Sequence, residues 1–200
     1  MQLYKTPFSR AYWAQALEDF KRLRNLIICA MMVAACVALS YIPSIPVTDG
    51  VRVTWGFLAR SVCGLVCGPV SALAFGFVED TVSFLMNPQG VYFPGYALTT
   101  MLGTMIYALF LYRTRVTVLR IFLAKLCTNI MNVLLGALWS SILYGKAYFV
   151  LASSSAVKNA IMLPVQTVML FWLFSLLLPV LRRMKVIPNQ LGEKKWISLF

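Results

Sequence analysis

The chain has 200 residues, of which 60% are hydrophobic and only 12% charged, and its formal net charge is +12. Soluble domains carry about 25% charged residues, so a chain this poor in charge cannot coat a water-soluble globule and reads as an integral membrane protein. Histidine is absent, which excludes histidine-based triads, histidine-ligated metal and histidine proton relays.

The first 24 residues do not read as a cleavable signal: they contain Glu18, Asp19 and several aromatics, and no small-residue cleavage site follows the apolar run. Tyr12, Trp13, Ala16, Leu17 and Phe20 recur at helical spacing among polar neighbours, which predicts an amphipathic helix lying on the inner membrane surface. Six segments then have the length and apolarity to cross or nearly cross a bilayer: 26–42, 53–67, 70–86, 92–112, 121–143 and 156–181. The second and third are separated only by Gly68-Pro69. One long kinked helix is possible there, but the Gly-Pro pair favours a tight hairpin and hence six spans.

The basic residues orient the spans. With the N-terminus inside, 13 of the 18 Lys and Arg fall on the cytoplasmic side, against three (Arg52, Lys146 and Lys158) in the outer loops. That bias places both termini in the cytoplasm and argues against five or seven spans. The predicted organisation is an all-α membrane protein: a cytoplasmic amphipathic arm over 1–24, a six-helix membrane domain over 25–183, and a basic cytoplasmic tail over 184–200.

Within the spans, small and polar residues stand out. Ala30, Ala34 and Ala38 repeat every fourth residue, giving a face that another helix can approach closely, either within the bundle or from a partner. The five cysteines (Cys29, Cys36, Cys63, Cys67 and Cys127) lie in apolar stretches and read as small hydrophobes. Cys63 and Cys67 are one turn apart, but without further ligands in the pattern no metal site is expected. Arg60, Glu79 and Asp80 reach similar depth if the chain turns at Gly68-Pro69, and a structural ion pair is preferred over a ligand role. Lys125, near the inner end of its span, is expected to snorkel.

Asn129, Asn132, Gly136 and Trp139 share one helical face. Tyr96 and Thr99 lie in the outer half of the fourth span, Arg52 and Trp55 at the outer start of the second, and Lys158 and Gln166 toward the outer end of the sixth. Together they predict an outer cavity lined by aromatic and amide groups, with a cationic mouth suited to an anion. No P-loop run, activated serine or acidic metal cluster is present, so an enzyme is not expected.

Three runs, Val51-Arg52-Val53-Thr54-Trp55-Gly56-Phe57, Cys67-Gly68-Pro69-Val70-Ser71-Ala72-Leu73 and Tyr92-Phe93-Pro94-Gly95-Tyr96-Ala97-Leu98-Thr99, occur alongside Ala30-x-x-x-Ala34 and the 106–112 run. Over residues 24–183 this order of features resembles the substrate-binding S component of energy-coupling factor (ECF) vitamin transporters, most of all its folate-specific branch. The resemblance implies a bacterial plasma-membrane subunit that binds a vitamin near the outer face. It implies association with a transmembrane coupling subunit and two cytoplasmic ATPases, followed by reorientation that releases substrate inward. It assigns the alanine face to docking on the coupling subunit. It also implies no cofactor in this chain, with ATP and Mg2+ used by the partner ATPases. Folate suits the predicted cavity: its flat pterin stacks on Trp or Tyr and pairs with Asn, and its carboxylates suit Arg52 or Lys158. The alternatives are another vitamin, such as riboflavin or pantothenate, or an MreD-like membrane scaffold that transports nothing and needs no polar pocket.

Overall fold

A computed structural model of the chain describes residues 10–42, 45–48, 51–53, 55–87, 92–145, 147–184 and 186–187. The elements are α1 (Arg10–Lys21), α2 (Leu23–Ser40), β1 (Ile45–Thr48), β2 (Val51–Val53), α3 (Gly56–Met86), α4 (Pro94–Leu111), α5 (Val118–Tyr144) and α6 (Tyr148–Arg183). Five of them, α2 to α6, are long and apolar enough to cross a membrane. Apart from the antiparallel β1–β2 pair, the regular elements are helices. Val53, predicted to open the second span, instead closes β2. Its β-branched neighbourhood suits a strand, and the helix starts at Gly56.

The count of five rather than six reflects α3, which runs through the predicted second and third spans as two arms. Gly68 sits at φ 83°, ψ 175°, a region closed to residues with a side chain, and Pro69 then opens the second arm with its φ already helical. A straight helix would separate Arg60 from Glu79 by about 28 Å, yet Arg60 Nη2 lies 3.0 Å from Glu79 Oε1. The arms therefore double back on each other. A Cβ at Gly68 would also meet the Tyr112 ring at 3.0 Å. Gly68→Ala is expected to lower stability by about 1–3 kcal/mol, seen as an earlier thermal transition of the detergent-purified protein.

Helix α4 packs tightly against both arms. A Cβ at Gly64 would come within 2.9 Å of the Ala108 backbone, and one at Gly76 within 2.5 Å of Met101 Cα, so these glycines set the close approach. The core gathers Cys63, Leu65, Phe75, Tyr107, Leu111, Leu170 and Phe174. Helix α5 joins α4 to α6, and α2 covers α3.

The N-terminal arm is helical, but α1 does not lie free on a membrane surface. Tyr12, Ala16 and Asp19 are buried against the bundle. Tyr12 meets the Tyr112 ring edge-on at 5.6 Å. The Asp19 carboxylate accepts from Arg113 Nη2 at 2.6 Å and from the Tyr112 hydroxyl, and Asn25 Nδ2 donates to the Asp19 carbonyl at 2.9 Å. An acid at position 19 thus ties the arm to the α4–α5 connection, while Trp13 and Leu17 remain exposed. At the other terminus, Val186 and Ile187 are buried in the core, so the tail begins by folding back. The rest of the tail lies outside the described residues.

Candidate functional site

The ends of the helices opposite Gly68 border an open cavity of about 830 Å³. Its walls come from the end of α2, both ends of α3, the start of α4, and the facing sides of α5 and α6. Arg60 and Glu79 face it as a two-bonded pair: Arg60 Nε donates to Glu79 Oε2 at 3.1 Å and Nη2 to Oε1 at 3.0 Å. Asp80 does not join them, and accepts from Thr100 Oγ1 at 3.1 Å. Successive helical residues point about 100° apart, so Glu79 and Asp80 cannot both face Arg60.

Lys125 corrects the sequence-based expectation. It does not snorkel: it is 4% exposed, lines the cavity, and holds its ammonium 4.7 Å from the centroid of the Phe57 ring, a cation–π contact. The signal was present, because Lys125, Asn129 and Asn132 follow at intervals of four and three and extend the amide stripe by one turn.

The amides converge. Asn129 Nδ2 donates to the Asn159 carbonyl at 3.4 Å, while Asn129 Oδ1 and Gln166 Oε1 are buried acceptors with no protein donor. Asn132, Asn159 and Lys158 also line the space. A buried acceptor left unpaired is costly; with the other amides on this wall, it makes the surface suited to a guest that brings both N–H and carbonyl groups. Aromatic surface comes from Trp55, Phe57, Phe84, Tyr92, Phe93 and Tyr96. Tyr92 and Tyr96 are held by hydroxyl contacts to Thr81 at 3.2 Å and Ser140 at 3.0 Å.

Two of the predicted ligand residues stand behind this wall. Trp139 Nε1 donates to Thr99 Oγ1 at 2.9 Å, and the Trp139 ring lies 5.6 Å from that of Phe93. Neither Thr99 nor Trp139 lines the cavity; they buttress Phe93, which does. The shared face read along α5 therefore splits, with its inner turns facing the cavity and Trp139 facing α4. Arg52 is placed by its backbone alone, in β2 opposite Pro46. Sequence reasoning missed Phe57, Ser83 and Asn159 among the lining residues. Asn159 could have been found from its helical spacing to Gln166 on α6, whereas Phe57 and Ser83 carry no signal that separates them from packing residues.

On α2, Cys36 is buried toward the core, whereas Ala30, Ala34 and Ala38 are exposed, with Ile27 and Met31 exposed beside them. The alanine face is not used in the bundle's own packing.

Comparisons with known proteins agree on one relationship. Residues 24–177 match the family described as ECF transporter, substrate-specific component. The chain is 32% identical over 152 residues to a folate transporter FolT of Clostridium novyi (strain NT), covering 76% of this chain and 88% of that protein. It is 23% identical over 159 residues to a folate transporter FolT of Leuconostoc mesenteroides subsp. mesenteroides, covering 76% of this chain and 85% of that protein. Among solved structures it resembles a crystal structure of FolT bound with folic acid, with a TM-score of 0.66 and 28% identity over 76% of this chain and 91% of the other. A scaffold of apolar helices, a large open cavity lined by polar and aromatic groups and a family match over most of the chain lead to one assignment: this protein belongs to the ECF transporter family as a substrate-specific component.

Proposed function

We propose that the chain is the folate-binding subunit of an ECF transporter, a multi-pass protein of the bacterial plasma membrane that takes folate into the cavity at its outer end. The observation that carries this reading is the convergence of the amide residues Asn129, Asn132, Asn159 and Gln166 with a set of aromatic rings around a cavity of about 830 Å³. A pterin offers N–H donors along one edge and a flat face for stacking. Lys158, which lines the cavity, and Arg52, three residues before the lining Trp55, supply positive charge for the glutamate carboxylates.

In this reading the two arms of α3 count as separate spans, giving six in all with both termini cytoplasmic, as the distribution of basic residues supports. The exposed face of Ala30, Ala34 and Ala38 is the docking surface for a transmembrane coupling subunit. That subunit in turn carries two cytoplasmic ATPases, which use ATP and Mg2+; this chain needs no cofactor of its own. The relatives named for folate favour that vitamin over riboflavin or pantothenate. The polar cavity disfavours a scaffold, which has no use for buried unpaired amides.

The test is tryptophan fluorescence of the purified protein titrated with folate, riboflavin, pantothenate and thiamine. Trp55 lines the cavity, so saturable quenching by folate alone is expected. Saturation by another of the four would replace the substrate, and silence with all four in folded protein would sink the binding role. Asn129→Leu removes both its amide donor and its acceptor from the wall, and folate affinity is expected to fall roughly 10- to 100-fold. Unchanged affinity in that variant would place the pterin elsewhere.

A further inference from the structure

Away from the vitamin cavity, three cysteines meet in the core. Cys63 and Cys67 lie one turn apart on the first arm of α3, and Cys29 approaches them from α2. Their sulfur atoms all lie within 4.8 Å of one another, with Cys29 and Cys63 at 3.9 Å. Cys63 and Cys67 are buried and Cys29 is partly buried, in an apolar cluster that includes Leu65, Val66, Ile28 and Met32. Cys67 Sγ contacts the Asn25 carbonyl at 3.7 Å. Asn25 also lines a small cleft of about 10 Å³ beside Asp19 and Arg22, at the Gly68 end of the bundle.

We propose that Cys29, Cys63 and Cys67 form a three-thiol site for a trivalent thiophilic centre of the arsenous-acid class. Three sulfurs at about 2.3 Å from a common centre lie roughly 3.5–4 Å apart; Cys29 and Cys63 already stand at 3.9 Å, and no separation exceeds 4.8 Å. Three mutually close sulfurs, rather than a pair, suit a tridentate centre better than a disulfide. Thiolates select soft centres, and a chain without histidine offers no imidazole to complete a tetrahedral zinc site.

Charge decides among the soft centres. Three thiolates on a monovalent copper leave a net charge of minus two in an apolar core, which is strongly disfavoured. Three thiolates on a trivalent centre are neutral. The reaction is a condensation: one As(OH)3 and three thiols give As(SR)3 and three waters. Three As–O and three S–H bonds break, three As–S and three O–H bonds form, and arsenic stays trivalent throughout. The reagent arrives uncharged, and its product staples α2 to the first arm of α3.

The reduced, full-length protein in detergent is titrated with arsenite, beside the same chain unfolded in guanidinium, and intact mass spectrometry reads the adduct. One arsenic per folded chain is expected, with a mass gain of one arsenic less three hydrogens. Its affinity should be at least about tenfold above that of the unfolded chain, because the folded site is preorganised. Cys29→Ala and Cys67→Ala are expected to fall to the unfolded level, and Cys127→Ala to match the parent. An adduct no tighter than on the unfolded chain, or one that survives in Cys29→Ala, overturns the site. Should a core alanine prevent folding, X-ray absorption at the arsenic edge of the unsubstituted protein decides: three sulfur neighbours support the site, and remaining oxygen neighbours reject it.

Discussion

Replacing Ala34 by Trp is expected to abolish folate uptake while leaving folate binding to the isolated protein within about twofold of the parent, since the substitution acts only where another helix must come close. Ala34 is exposed on the face of α2 turned away from its own core, so the indole finds room and the fold has no reason to change. The vitamin cavity draws on Cys36, Leu39, Ser40 and Ile42 near this end of the chain but not on Ala34. Binding is read by fluorescence titration and uptake by labelled folate in cells carrying the coupling module. Full uptake in Ala34→Trp would move docking to another surface, for which Trp13 and Leu17 on α1, 39% and 51% exposed, are the next candidates.

The second large effect concerns Arg60 and Glu79. Glu79→Gln removes the charge opposite a guanidinium held inside the bundle, and is expected to destabilise the protein by about 3 kcal/mol. The Arg60 side chain is 33% exposed to the cavity while that of Glu79 is 4% exposed, which keeps the effect at the lower end for a broken internal pair. The double replacement Arg60→Met with Glu79→Met should recover most of that loss, because no lone charge then remains. Thermal unfolding in detergent separates the outcomes. If Glu79→Gln melts like the parent, the pair does not hold the arms of α3 together.

Much of this fold is legible in the sequence because membrane helices declare themselves by composition. The apolar runs, the break at Gly68-Pro69 and the amphipathic pattern of residues 12–20 all correspond to observed elements. What the pattern cannot give is the destination of a side chain that has two possible partners. Asp19 looked like one charge on a surface helix, and is instead buried by Arg113 and Tyr112, some 94 residues away. Lys125 had the position of a snorkelling residue, and finds Phe57 on another helix. The site was partly readable for the same reason. Asn129, Asn132, Lys158 and Gln166 share helical faces that do line the cavity, because a period of 3.6 carries over from sequence to surface. Trp139 obeys that period too, but Thr99 offers its indole N–H a partner, and a hydrogen bond between helices leaves no trace in either sequence segment. The meeting of Cys29 with Cys63 and Cys67 was hidden likewise, since it depends on how α2 lies across α3.

The doubling of α3 bears on how the protein is made. Its arms, residues 56–67 and 69–86, are joined by the pair of Arg60 on the first and Glu79 on the second. An unpaired arginine or acid at the middle of a lone helix costs about 2.5–3.5 kcal/mol in lipid. Each arm by itself carries that cost. Arg60 and Glu79 meet only when both arms are present, so the closed hairpin, and neither arm alone, is the unit in which that pair is neutral. The part of the cavity wall that α3 contributes therefore depends on residues 56–86 alone, which precede α4, α5 and α6 in the chain.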